Sequence, residues 1–256
     1  MNRIMEFFGQ RKVWAFPYVA VMAVFVVIPL LLLGWYSFVD EEGFTLKYFE
    51  KFFGSTDSLN TFIYSIGIAM ITTVVCILVG YPAAYFMADK QFSTPKVMAL
   101  LFILPMWINL LLRTLATVAL FDFLHLPLDE GALVFGMVYD FLPFMIYPIY
   151  NTLQKMDHSL VEAAKDLGAK PFRVFWDVVL PLSMPGVYSG ILMVFMPTIS
   201  TFAISELLTM NNVKLFGSII QENINVGLIN YGSALSLILL IIIGLTSFLG
   251  AEDDSK

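Results

Sequence analysis

Charge is what this 256-residue chain most lacks. Asp, Glu, Lys and Arg make up only 13% of it, about half the share of an ordinary soluble domain. The net charge is -6, the wrong sign for a nucleic-acid partner, and so little charge does not keep a chain disordered. A single cysteine, Cys76, rules out an internal disulfide and a structural zinc site. The two histidines, His125 and His158, fall far apart in expected loops and form no metal cluster. Ser, His and Asp show no catalytic arrangement, so no catalytic or metal-ligating residue is assigned. The dipeptide Gly-Lys never occurs, which excludes a Walker nucleotide-binding loop in this chain.

What the chain has is apolar surface. Hydrophobic residues are 59% of it and the mean hydropathy is +0.83, more than one soluble core of this size can hide. Six runs are long enough to cross a hydrocarbon core, which takes about 20 helical residues. They fall near Trp14–Phe38, Leu59–Ala88, Val97–Phe121, Leu133–Leu153, Pro185–Leu208 and Gly232–Gly250. The runs are continuous, not alternating, so the expectation is an all-α integral membrane protein with the lipid bilayer as its solvent. The first run is too long for a signal peptide and no small-residue cleavage site follows it.

Basic residues orient the spans. With the N-terminus inside, the inner segments hold Arg3, Arg11, Lys12, Lys90, Lys96, Lys155, Lys165, Lys170, Arg173 and Lys256, and the outer loops only Lys47, Lys51 and Lys214. Ten against three predicts six spans with both termini cytoplasmic. The outer loops also carry Asp40, Glu41, Glu42, Glu50, Asp57, Asp122, Asp129, Glu130 and Glu222. That excess of acids either draws cations to the mouth or reflects only the shedding of bases from translocated loops. Prolines interrupt most spans, and no repeat or soluble domain is visible, so residues 1–256 read as one transmembrane domain.

Only the inner loop over 154–184 is both charged and patterned. Ser159 and Glu162 form a capping-box pair, predicting a helix from Leu160. Leu160, Ala163, Ala164 and Leu167 then make a narrow stripe, mostly of small residues, and Gly168 fits the left-handed cap that ends it. Pro171 is placed to begin a second short helix, which Pro181 and Pro185 are expected to stop before the next span. A lipid anchor would want bulky residues in the stripe; small ones let another protein approach closely.

The same loop carries a resemblance. Glu162-Ala163-Ala164, then Gly168, then Leu180-Pro181 matches the EAA-x3-G-x9-I-x-L-P signature of bacterial ABC importer permeases, with Val178 in place of Ile. Nearly the whole chain resembles the spermidine/putrescine permeases, and the long acidic first outer loop resembles the first of that transporter's two permease subunits. Val138 to Met145, Pro148 to Ala169, Leu104-Pro105-Met106-Trp107, Asn109 and Leu112-Arg113 carry the likeness. Leu208-Thr209-Met210 departs from an expected Leu-Gly-Gly, and Asn230-Tyr231 from an expected Trp-Pro. The resemblance implies the type I ABC importer permease fold with a cytoplasmic coupling helix. The coupling residues would be Glu162, Ala163, Ala164, Asp166, Gly168, Leu180 and Pro181. It also implies partners: a second homologous permease, a cytoplasmic ABC ATPase dimer that uses ATP and magnesium, and an extracytoplasmic polyamine-binding protein. This chain itself would bind no cofactor and would not be an enzyme; its place would be the bacterial cell membrane.

Three ionisable residues lie in or at the ends of spans: Arg113, Asp140 and Glu206. An unpaired charge at mid-bilayer costs about 2.5–3.5 kcal/mol on insertion scales. On straight helices Arg113 lies about 24 Å into its span and Asp140 seven residues into the next, both in the outer half, so an Arg113–Asp140 ion pair can form. Arg113 and Asp140 fit either a cargo path or a packing pair; Glu206 matches an acidic family position. With Trp107, Asn109, Tyr139 and Tyr147 they make the candidate substrate pathway, carboxylates and aromatic faces being what a polycation requires. Tyr150 lies nearby on the same run. The alternatives are an ABC importer of another cation, an iron complex or an oxyanion, or an ATP-independent carrier with no use for a docking helix.

Overall fold

The computed structural model describes residues 16–40, 43–88 and 100–253. The expected starts of the first and third spans at Trp14 and Val97 lie outside the described residues, as do Arg3, Arg11, Lys12, Glu41, Glu42, Lys90, Lys96 and Lys256. The chain divides into two compact units, Met1–Ser55 with Ile220–Ile241, and Thr56–Ile219 with Ile242–Lys256.

In the first unit, α1 (Pro17–Phe38) is apolar all round and none of its most hydrophobic stretch is buried, as for a helix whose neighbours are lipid or another chain. A hairpin follows, β1 (Val39–Asp40) pairing with β2 (Gly43–Phe44) so that Val39 faces Phe44. Then comes the short helix α2 (Lys47–Gly54), with Phe52 buried. Phe38 stacks on Phe44 and on Phe49, at centroid distances of 5.8 and 5.0 Å.

The second unit is built on three long helices that pack pairwise: α3 (Thr56–Ala88), α6 (Glu130–Lys155) and α8 (Pro171–Ser200). Between α3 and α6 run α4 (Leu100–Trp107) and α5 (Leu110–Phe123). After α6 comes α7 (His158–Asp166), and after α8 the short, six-residue α9 (Ala203–Leu208). The chain ends with α10 (Phe216–Asn225) and α11 (Ile229–Asp253), each of which crosses the division between the units.

α6 is the most enclosed span, with Leu133, Met137, Met145, Ile146, Ile149 and Leu153 fully buried. Small residues let α8 come close to it: a Cβ at Gly186 would meet the Pro148 carbonyl oxygen at 2.8 Å, and one at Gly190 the Met145 sulfur at 2.7 Å. A glycine pair four residues apart is how membrane helices gain van der Waals contact where lipid gives no hydrophobic drive. The Tyr81 and Ser183 hydroxyls, 2.8 Å apart, tie α3 to α8.

Two spans depart from expectation. The third is not one helix: α4 ends in a 3-10 turn over Leu104–Trp107, and α5 leaves at 101° to it. Pro105 sits in that turn, Ile108 is extended, and the Asn109 side chain accepts the Leu111 N–H at 2.8 Å, capping a new helix instead of continuing the old one. The fifth span runs earlier than Pro185–Leu208. It begins at Pro171, passes through Pro181 and Pro185 without stopping, and ends at Ser200.

A wide turn over Phe175–Val179 makes this possible. The Leu180 N–H reaches back five residues to the Phe175 carbonyl, opening the ladder just where the Pro181 ring would clash with an ordinary turn. α1 uses the same device over Ala23–Val27, two residues before Pro29.

Candidate functional site

Arg113 and Asp140 form the expected pair. Both are buried, at 4% and 0% exposure, with Arg113 Nε 3.2 Å from Asp140 Oδ1. Arg113 Nη2 donates to the Asp140 carbonyl at 3.1 Å, and the Thr114 hydroxyl donates to Asp140 Oδ2 at 3.0 Å. The guanidinium also lies 6.0 Å from the Tyr139 ring centroid. The depths differ from the straight-helix expectation. Arg113 stands at the start of α5, its N–H bonded to the Asn109 carbonyl, so the break in the third span fixes where its side chain begins. Asp140 is ten residues into a 26-residue helix and therefore near its middle. The pair joins the helix that follows the break to the central helix of the unit.

Glu206 occupies the first turn of α9, which packs against both α5 and α6. It is half-buried, and no ion pair among the described residues reaches it. Beyond it, Met210 and Asn211 both take left-handed backbone angles, φ 49° and 62°, at the point where the sequence departs from Leu-Gly-Gly. Hydrogen bonds hold this costly turn: Asn211 N–H to the Glu206 carbonyl at 3.0 Å, Ser205 hydroxyl to the Val213 carbonyl at 2.5 Å, and Val213 N–H to Thr209 Oγ1 at 3.1 Å.

The aromatic candidates are scattered. Trp107 is 77% exposed on the turn at the break, while Tyr139 and Tyr147 are part-exposed on α6. Asn109 is spent on capping α5. Tyr150 is buried and accepts from the Gln154 amide at 3.0 Å. The structure thus unites Arg113, Tyr139 and Asp140 and leaves Trp107 and Tyr147 apart from them. Sequence reasoning missed Thr114, although its place beside Arg113 in a helix facing Asp140 was a usable signal.

In the loop over 154–184, α7 begins at His158, not Leu160, because the Asp157 carboxylate caps it by accepting the Ser159 N–H at 3.0 Å. Ser159 is therefore inside the helix. Gly168 has φ +81°, with Gly168 N–H bonded to the Lys165 carbonyl and Ala169 N–H to the Ala164 carbonyl, a Schellman close. Pro171 opens the next helix as expected, but that helix continues into the span. Glu162, Ala163, Asp166 and Gly168 are exposed, Ala164 is half-buried, Leu167 is 89% exposed and Phe172 75%. Leu180 and Pro181 lie just past the wide turn.

Residues 80–251 match the family model described as the inner membrane component of binding-protein-dependent transport systems. The chain belongs to that family. It is therefore a multi-pass permease of the inner membrane and a transport subunit, not an enzyme. The permease is 34% identical to the spermidine/putrescine transport system permease protein PotB of Haemophilus influenzae, over 88% of this chain and 87% of that one. It is 32% identical to PotB of Escherichia coli K12, over 88% and 90%, and 27% identical to PotC of the same organism, over 91% of each. Among solved structures it resembles a chain of a bacterial ABC transporter that imports the acidic polysaccharide alginate, with TM-score 0.65 and 12% identity over 95% of this chain and 98% of that one. A chain of the methionine transporter MetNI matches with TM-score 0.59 and 15% identity, over 76% and 93%. These two share the fold of the ABC importer permeases.

Proposed function

We propose that the permease is one of two membrane subunits of an ATP-driven importer of polyamines, spermidine or putrescine, delivered by an extracytoplasmic binding protein. The observation that carries this reading is the identity with PotB along nearly the whole length of both chains. A second, homologous permease completes the pore, in keeping with the match to PotC. Residues 1–256 act as one permease domain. A separate cytoplasmic ATPase dimer, holding ATP and magnesium, docks on the loop over 154–184 through the exposed face of α7 and the turn at Gly168. Uptake of labelled spermidine and putrescine by vesicles holding the assembled transporter tests the reading, with each amine competing against the other. Uptake of neither, in vesicles that import another solute, removes it.

On this reading Glu206 is the carboxylate open to cargo, with Trp107, Tyr139 and Tyr147 as aromatic faces along the path. Asn109, Arg113 and Asp140 shape the path's wall at the break. A charge-assisted hydrogen bond contributes about 1.5–3 kcal/mol, so Glu206→Gln is expected to weaken apparent polyamine affinity roughly 10- to 150-fold. The amide keeps the size, so abundance in the membrane should hold. Half-saturation measured per embedded molecule checks it, and an unchanged value for both amines removes Glu206 from the path.

Both termini face the cytoplasm in this proposal. Cysteines placed at Asp57 and Asn212 should react with an impermeant thiol reagent applied to intact cells, and one at Lys170 should not. The natural Cys76 is buried and gives a silent background. Labelling at Lys170 would invert the orientation.

A further inference from the structure

The first unit holds a cluster that the transport reading does not use. The Lys47 ammonium pairs with the Asp40 carboxylate at the hairpin and lies 5.1 Å from the Tyr48 ring centroid. One helical turn on, the Lys51 ammonium lies 4.3 Å over the ring of Tyr231 at the start of α11. The adjoining Asn230 amide donates to the Val39 carbonyl at 2.6 Å, fastening α11 to the strand that carries Asp40. Tyr231 is only 5% exposed.

We propose that Asp40, Tyr48 and Tyr231 form an ammonium-binding subsite for a polyvalent amine, occupied in this structure by the chain's own Lys47 and Lys51. The inference rests on the polyamine reading and on the outward placement of this loop. Three arguments support it. Carboxylate and aromatic faces are the two surfaces that replace water around an ammonium group. The two lysines are four apart on one helix, so their stems begin about 6 Å from each other, and the cluster presents paired ammonium sites, not a single one. Lys47 and Lys51 are also two of only three bases expected on the outer face, amid nine acids, and both sit on such partners. The hydrogen bond that Lys47 donates to Asp40 raises the Lys47 pKa above its ordinary value, so the pairing favours the charged ammonium.

A tethered lysine competes at an effective concentration in the millimolar range. A single amine can exchange with one lysine only, whereas a cargo bringing two ammonium groups makes its second contact intramolecularly, as the lysines do, and so can exchange with both occupants in one binding event. Only a polyvalent amine fills both ammonium positions at the outer face.

The test reads the occupant directly. The assembled transporter, without its binding protein, is treated with an impermeant amine-acylating reagent, and modification of Lys51 is followed by mass spectrometry as a ratio to that of the exposed Lys214, so that reagent consumed by spermidine's own amines cancels. Spermidine should free Lys51 from Tyr231 and speed its acylation roughly two- to fivefold, the factor matching an exposed cation–π contact. Sodium chloride at equal ionic strength should not. Tyr231→Leu should make Lys51 fast from the start and insensitive to spermidine; Lys51→Gln should leave the fold and the Asn230 contact in place. Unchanged or slower acylation with spermidine, or an equal response to salt, overturns the subsite. A transporter that takes up polyamine while Lys51 stays unresponsive loses the subsite alone; one that takes up no polyamine loses the functional reading.

Discussion

Asp140→Asn and Arg113→Met should each deplete folded permease sharply, while the double variant Arg113→Met/Asp140→Leu should restore it. Each single change leaves a buried partner charge without its counterion, at a cost of about 3–5 kcal/mol. That is a large share of a stability on the order of 5–15 kcal/mol. The apolar double removes both desolvation penalties together, and such replacements are often neutral or stabilising. Thr114 would not be orphaned, because its single hydroxyl hydrogen can turn to the Leu110 carbonyl, which also lies 3.0 Å away. The measurement is monodisperse protein recovered from the membrane, followed by uptake per recovered molecule. Singles recovered at wild-type level would mean that the pair is not a clamp. A double that is abundant and transports shows that the charges serve packing only; one that is abundant and silent shows that at least one of the two charges acts in transport.

That pair was legible in the sequence because a charge in a membrane span needs a partner and few are on offer. The surrounding geometry was not. Pro105 reads equally well as a kink in a continuous helix or as the end of one, and the choice fell to Asn109, whose side-chain oxygen captured the Leu111 N–H of the next helix. At Pro181 and Pro185 the ambiguity went the other way: a wide turn that no local sequence rule announces carried the helix through. Asp157 and Ser159 are both good caps two residues apart, and the carboxylate took the role from the hydroxyl. Gly168 was readable because φ +81° leaves few alternatives. The close approach at Gly186 and Gly190 needs the position of α6, which lies more than thirty residues upstream. The subsite on Tyr231 was out of reach for the same reason, since it joins residues from both ends of the chain.

Ala163→Trp should abolish uptake while leaving insertion and folding intact. Ala163 is the exposed alanine of the motif, whereas Ala164 is half-buried and packs inward, so a bulky residue at 164 would confound docking with folding. The proposed partner must bring its surface close to α7, and a Trp at a site that accommodates only a methyl group holds it away. Loss of a central interface contact costs on the order of 2–4 kcal/mol, which lowers affinity about 30- to 900-fold. Leu167→Asp makes an independent probe: the side chain is 89% exposed, so it contributes little to the fold and would matter only where a partner covers it. Gly168→Ala separates backbone from surface, because no atom lies within 4 Å of the added Cβ and the strain of a left-handed alanine, about 1–2 kcal/mol, is all that changes. ATPase retained on the immobilised permease and uptake per embedded molecule are the two readouts. Ala163→Trp and Leu167→Asp should fail in both, and Gly168→Ala should be only partly impaired. Normal retention and uptake in both surface variants would move the ATPase contact off this loop.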